Sequence, residues 1–287
     1  MKFSYYPGCS LHSTAAEYEH STKYVCKKMN IELEEIPDWS CCGASSAHSV
    51  NHMFGVAVPA RNLAIAEKQG LDVLVPCAAC YQRLIAVNYE MKHDAHIKEN
   101  LSKVIGMDYK GETEVLSILE VFNKAGMEQI AKAVEKPLKD LKVVSYYGCY
   151  YVKPPKLVNV DDTEDPMLMD KMVEAVGATA IDWPYKTECC GNSLVFHNKD
   201  VVLSLTKDIL EMAKEAGADC IITACPLCQS NTDTRQGQIN KKFGTDFDIP
   251  IFYITELLAM AMGASASEIG ADTHLTDTSK IIKTIST

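Results

Sequence analysis

Adjacent cysteines occur twice in this chain, each pair followed by glycine: Cys41-Cys42-Gly43 and Cys189-Cys190-Gly191. Vicinal cysteines are poor disulfide partners, because a ring closed across one peptide bond strains the geometry a disulfide prefers. Two neighbouring thiolates offered to one metal centre make better chemical sense. Each pair has one cysteine upstream and a CxxC downstream. The spacings are C-x31-CC-x34-CxxC for Cys9, Cys41, Cys42, Cys77 and Cys80, and C-x39-CC-x34-CxxC for Cys149, Cys189, Cys190, Cys225 and Cys228. The offset between copies is 140 residues at the first cysteine and 148 at the CCG and CxxC. So long an internal repeat implies two similar units, which pack most simply about a pseudo-twofold axis with their cysteine loops facing a shared central cleft.

Elements read from the sequence repeat in the same order. Residues 3–6 (FSYY) form a strand that delivers Cys9. Residues 14–29 form a helix carrying Cys26, and residues 31–36 (IELEEI) alternate as a half-buried strand does. Residues 54–69 form a helix ended by Gly70, residues 72–75 (DVLV) a buried strand, and residues 81–91 a helix after the first CxxC. In the second copy the strands are 142–147, 178–181, 219–223 and 251–253, and the helices 165–176, 199–216 and 254–262. Alternation of this kind predicts a parallel α/β arrangement, with ligands at strand ends and the loops that follow. The predicted organisation is a first unit over 1–92, a charged helical connector over 93–140, a second unit over 141–262 and a loosely ordered Ser/Thr/Ala-rich tail over 263–287.

Twelve cysteines in a chain with 47% hydrophobic residues are not those of a small disulfide scaffold, which lacks a core of its own. Metal ligation is the better reading. Structural zinc takes four ligands and would leave a fifth thiolate idle. A redox CxxC needs two and leaves three unexplained. A cubane [4Fe-4S] cluster takes four, and its usual C-x2-C-x2-C-x3-C-P run is missing. Five thiolates with a vicinal pair point to an iron-sulfur cluster that is not a simple cube. Cys26 and Cys220 fall outside the pattern and read as buried structural residues.

Net charge is -10, which argues against nucleic acid as a partner. No apolar run is long enough to span a membrane. The opening MKFSYYPGCS has no apolar core of signal-peptide length, so a cytoplasmic location is expected. No G-x-G-x-x-G loop follows a strand, so no flavin or nicotinamide site is evident.

On these residues the chain resembles the CCG-domain family, and within it the B subunit of the heterodisulfide reductase of methanogenic archaea, from Tyr5 to about Leu258. The resemblance implies two non-cubane [4Fe-4S] clusters, one per five-cysteine motif, with all ten cysteines as ligands. It implies the mixed disulfide of coenzyme M and coenzyme B as substrate, reduced to two thiols between the clusters. Electrons would come through two partner proteins, one small and ferredoxin-like, the other flavin-bearing, with hydrogenase or formate dehydrogenase upstream. Relatives in fumarate, succinate, glycolate or lactate systems supply the alternative of an electron-transfer subunit. The coenzymes carry a sulfonate at one end and a phosphate and carboxylate at the other. Basic groups near the cysteine loops are therefore candidates to hold them: His12, Arg61, Lys153 and Lys186. His48 and His197 follow the two CCG motifs at near-equivalent places and are the candidate catalytic proton donors.

Overall fold

The computed structural model describes residues 1–44 and 47–286. Eight short strands form two four-stranded, wholly parallel sheets. The first sheet contains β1 (Lys2–Tyr5), β2 (Glu32–Glu35), β3 (Val73–Val75) and β4 (Val115–Ser117) in the order β2-β1-β3-β4. The second contains β5 (Lys142–Tyr146), β6 (Thr179–Ala180), β7 (Cys220–Thr223) and β8 (Ile251–Tyr253) in the order β6-β5-β7-β8. The two orders are the same, as duplication requires. Val73–Val75, Cys220–Thr223 and Ile251–Tyr253 are buried along their whole length. That is how strands covered by helices on both faces read, as continuous apolar runs. At the edge, β2 carries Glu32, Glu34 and Glu35 exposed, and Lys2 of β1 pairs with Glu32 and Glu34 at 3.0 Å each.

The segment 93–140 departs from the helical connector the sequence suggested. It contains the helices Ala95–Ile105, Ile118–Ala125 and Met127–Ala133, but also β4, which pairs with β3 and completes the first sheet. β4 is the counterpart of β8, and the two strand ends are closed alike. The backbone N–H of Ser117 donates to Glu120 Oε2 at 2.7 Å, and that of Tyr253 donates to Glu256 Oε2 at 2.8 Å. In each case a glutamate three residues into the following helix satisfies an orphan donor. The repeat thus runs further than its cysteines, to Ala125 in one copy and Ala261 in the other.

The tail also departs from expectation. Beyond residue 263 lie the helices Ala266–Ile269 and Ser279–Ser286, with Ile269, Ala271 and Ile281 buried. His274 holds the tail down. Its Nε2 lies 3.0 Å from both Glu256 carboxylate oxygens, and its Nδ1 is 2.9 Å from Gln229 Nε2. Asp233 accepts the N–H groups of Leu275 and Thr276 at 2.9 Å each.

The units join reciprocally. The Ala16–Lys28 helix of the first packs on the Ile254–Ala261 helix of the second, and the Leu168–Ala175 helix of the second packs on the Ile118–Ala125 helix of the first. Such exchange is the signature of a twofold relation. Tyr18 stacks on Tyr253 with ring centroids 4.1 Å apart and planes 2° from parallel, and Ser21 Oγ meets Thr255 Oγ1 at 2.7 Å. An aromatic pair of this kind adds about 0.5–1.5 kcal/mol beyond the area it buries.

Candidate metal centre at the junction of the two units

Each quintet is assembled by the carboxyl ends of two adjacent central strands. β1 delivers Cys9 and β3 delivers Cys77, which precedes the Ala78–His93 helix that carries Cys80. In the second unit β5 delivers Cys149, and β7 delivers Cys225 ahead of the Pro226–Thr234 helix that carries Cys228. The CCG loops come in from the side. Tyr6, just after β1, fixes the first by donating from its hydroxyl to the Ser40 carbonyl at 2.7 Å. Tyr146, the last residue of β5, does the same for the Glu188 carbonyl at 2.8 Å. Both accepting residues immediately precede the cysteine pair.

Glycine is required at four places around the sulfurs. Gly43 and Gly191, closing the two CCG turns, sit at φ +72° and +75°, in the left-handed region that L side chains avoid. Their N–H groups point at sulfur: Gly43 N is 3.4 Å from Cys41 Sγ and Gly191 N is 3.3 Å from Cys189 Sγ. Gly8 and Gly148, just before the first cysteine of each motif, have φ +70° and +65°. A methyl group there would stand 3.0 Å from Cys80 Sγ and 2.8 Å from Cys228 Sγ. The chain keeps these surfaces bare so that backbone can approach sulfur.

The thiols of each unit form a linked set. Cys42 Sγ lies 3.3 Å from Cys80 Sγ, and Cys190 Sγ lies 3.8 Å from Cys228 Sγ. Hydrogen bonds from Cys41 and Cys80 hold the Cys42 thiol down at about 4, a thiolate at neutral pH. Donation from Cys149 lowers Cys189 to about 6, and donation from Cys228 lowers Cys190. The donors Cys41, Cys80, Cys149 and Cys228 are pushed up in turn. Among the described residues, no three cysteine sulfurs stand within 4.8 Å of one another, the closeness one metal ion needs. Five soft thiol donors spread that widely suit a cluster of several irons better than a single ion. Cys26 and Cys220 stay apart from both sets and buried, and burial raises the Cys26 thiol to about 12.

Two tyrosines tie the quintets together. The buried Tyr18 hydroxyl donates to the Pro76 and Ala224 carbonyls, each at 3.0 Å. The buried Tyr151 hydroxyl reaches the same two carbonyls at 2.7 and 3.2 Å. Pro76 and Ala224 directly precede Cys77 and Cys225. The two CxxC turns therefore meet back to back across two phenol groups.

The other predicted site residues fall in different surroundings. His48 and His197 are exposed in the segments after the two CCG turns. Positive charge on Arg83 lowers His48 below its ordinary value, and partial burial adds to the effect. Lys153 is exposed near the second quintet, where its charge helps lower Cys189. His12 is exposed against Trp39, with ring centroids 5.1 Å apart, and its Nε2 lies 3.5 Å from carboxylate oxygens of Glu19 and Glu35. Arg61 is held by Asp38, through an ion pair to its carboxylate and a 2.6 Å bond to its carbonyl. Lys186 is buried, and its Nζ faces Asp165 at 2.7 Å, Asp182 at 3.6 Å and Asp170 at 3.7 Å. These carboxylates give Lys186 and Arg61 a packing occupation that sequence alone did not disclose.

One basic residue went unremarked in the sequence. Arg83 lies three residues beyond Cys80, one turn along the same helix. Its charge acts on Cys42 and His48 in the first unit and on Tyr150, beside Cys149, in the second. The i, i+3 spacing from a ligand is the signal that could have found it.

Comparison with known proteins agrees with this arrangement. The model of the CCG family, described as a cysteine-rich domain, matches residues 3–85 and 143–233, one match per quintet. The chain is 35% identical to the B subunit of the ferredoxin/F420H2-dependent CoB–CoM heterodisulfide reductase of Methanosarcina acetivorans, over 94% of this chain and 92% of that protein. It is 32% identical to the 8-methylmenaquinol:fumarate reductase membrane anchor subunit of Wolinella succinogenes, over 98% of this chain and 99% of that one. Among the described residues no helix is long and apolar enough to cross a membrane. A crystal structure of a hypothetical Helicobacter pylori protein shares the fold, with TM-score 0.76 at 14% identity, covering 97% of this chain and 52% of that one. With both halves matched and each match centred on a five-cysteine set, the chain belongs to the CCG cysteine-rich domain family.

Proposed function

We propose that the chain is the catalytic component of a heterodisulfide reductase, cleaving the mixed disulfide of coenzyme M and coenzyme B to two thiols. The observation that carries this reading is the pair of buried tyrosine bridges, which set both CxxC turns on one centre. Cys9, Cys41, Cys42, Cys77 and Cys80 would hold one non-cubane [4Fe-4S] cluster, and Cys149, Cys189, Cys190, Cys225 and Cys228 the other. Once bound, the clusters would supply the two electrons that an S–S bond needs.

The chain's own residues do the rest. Tyr6 and Tyr146 fix the CCG turns, and Gly8 and Gly148 let the backbone pass close to sulfur. His48 and His197, exposed beside the two quintets, would pass protons to the product thiolates. Lys153 and His12 would attract the anionic ends of the coenzymes. The partners on this reading are a small ferredoxin-like protein and a flavin-bearing one in the cytoplasm, fed by hydrogenase or formate dehydrogenase.

A second reading has a specific observation behind it, the near full-length similarity to a fumarate reductase subunit. On that reading the quintets relay electrons to a partner and reduce no disulfide themselves. Anaerobic purification followed by assay separates the two. Roughly eight irons and matching acid-labile sulfide per chain are expected for two four-iron sites. Turnover of the mixed disulfide with a reduced dye supports the first reading. Iron present with no such turnover supports the relay, and zinc without sulfide contradicts both.

A further inference from the structure

The half-buried Arg83 faces both quintets without a carboxylate of its own. Gln82, its neighbour in the helix, donates from Nε2 to the Lys153 carbonyl of the second unit at 2.6 Å. Tyr81, on the other side, packs against Tyr151 with ring centroids 6.0 Å apart. The helical turn 81–83 is thereby clamped to the 149–153 turn, and Arg83 is held at the boundary between the two cysteine sets. Among the described residues no carboxylate comes within ion-pair distance of its guanidinium. Most other cations close to the cysteine loops are engaged: Arg61 by Asp38, and Lys186 by Asp165, Asp170 and Asp182. In a chain with 38 acidic residues against 28 basic ones, a guanidinium left unpaired at such a junction calls for an anion from outside.

The second unit lacks this group. Asn231 stands three residues after Cys228, as Arg83 does after Cys80, and it is an internal strut. Its Nδ2 donates to the Cys190 carbonyl at 3.0 Å, and its Oδ1 accepts from Arg235 Nε at 2.7 Å. One half of a duplicated site therefore presents an anion-binding fork and the other a closed neutral turn.

We propose that Arg83 is the specificity-determining residue of this centre, binding an anionic group on the sulfur-bearing substrate and directing that end of an unsymmetrical disulfide toward the first quintet. This rests on the reading of the centre as a site for thiols and disulfides. A guanidinium is suited to the task, because its planar fork meets carboxylate or sulfonate oxygens two at a time. Charge-assisted bonds of this kind contribute about 1.5–3 kcal/mol, or roughly tenfold or more in affinity. An anion seated there would also cancel the charge that now depresses His48, restoring its capacity to hold a proton once substrate is bound.

The test compares two thiols of similar size, 2-mercaptoethanesulfonate and 2-mercaptoethanol, titrated calorimetrically into the anaerobically purified, iron-loaded full chain. Wild type is expected to prefer the sulfonate by about tenfold or more. In Arg83→Gln the preference should fall to near unity with iron content retained, and in Arg83→Lys it should be intermediate. A preference unchanged in Arg83→Gln overturns the proposal, and so does equal binding, or no binding, of the two thiols by wild type. Should Arg83 only offset the negative charge of a bound cluster, Arg83→Gln would shift the reduction potential and leave the preference intact, which also overturns it. Turnover is a separate readout. An Arg83-dependent preference without disulfide turnover keeps the proposal and removes the reductase reading, whereas turnover without the preference does the reverse.

Discussion

The two halves carry the same five cysteines on sheets of the same strand order, yet they surround them differently. In the first unit Cys9 and Cys41 are both exposed and a guanidinium follows Cys80. In the second, Cys149 is half-buried, and the Cys190 carbonyl is held from two sides, by Asn231 at 3.0 Å and Thr206 Oγ1 at 3.4 Å. The first unit places its comparable strut earlier: Asn62 accepts the Ser40 N–H at 2.8 Å and donates to the Ser40 carbonyl at 2.9 Å. Duplication has kept the ligand set and its glycines while leaving the surrounding contacts free to diverge. One half became the more open, basic side and the other the closed, neutral side. A disulfide with two unlike ends is matched to a pair of that kind better than to a symmetric one.

The comparison breaks most visibly at the cysteines. If each quintet holds its own cluster, Cys42→Ser and Cys190→Ser should each remove about half of the roughly eight irons and abolish disulfide turnover. Loss of all iron from either variant would mean that the halves share one centre. The tyrosine bridges come next. Tyr18→Phe or Tyr151→Phe alone leaves both carbonyls with one donor, whereas the double variant strands two buried carbonyls at about 1–3 kcal/mol each. Denaturant unfolding should therefore show a double variant clearly worse than the sum of the singles. Simple additivity would mean that the phenols do not serve the same carbonyls.

Gly8→Ala and Gly148→Ala sharpen the comparison further. Left-handed backbone costs an L residue about 1–2 kcal/mol, and in both cases the new methyl presses on the last cysteine sulfur. The tighter approach at Gly148, 2.8 Å against 3.0 Å, predicts that Gly148→Ala loses more iron than Gly8→Ala under the same chelator challenge. The smallest effect is in the tail. Burial on its own would lower His274, but the hydrogen bond and charge of Glu256, with Asp233 and Glu17 nearby, outweigh it and raise the histidine above 6.5. A raised folded-state value stabilises fully below the unfolded value and is lost as pH climbs through the folded one. The melting-temperature gap between wild type and His274→Asn should thus be widest in mildly acidic buffer and narrow as pH rises. A gap that widens with pH would assign His274 a neutral role.

Much of this was legible in the chain because sulfur spacing survives duplication. Two copies of a vicinal pair, each with a CxxC 34 residues on, announced the unit count, the ligand set and the strand ends that carry them. What escaped was whatever depends on three-dimensional neighbours. β4 is three residues long and lies among charged residues, so it lacks the apolar run by which β3 and β7 announce themselves. The tail is polar in composition, and its order comes from one buried histidine set among Glu256, Gln229 and Asp233, which no periodicity records. Arg61 and Lys186 looked like free cations beside the cysteine loops because their carboxylate partners lie as far as 23 and 21 residues away in sequence. Arg83, in an otherwise ordinary helix, gains meaning only once the second unit is docked against it.

The most direct test of the central claim, that two clusters serve one disulfide, is electron paramagnetic resonance of the oxidised, iron-loaded protein before and after the mixed disulfide and one reducing equivalent are added. The account predicts a new paramagnetic signal that requires the disulfide and is lost in both Cys42→Ser and Cys190→Ser. A spectrum indifferent to the disulfide, or a signal that survives in either variant, would contradict it.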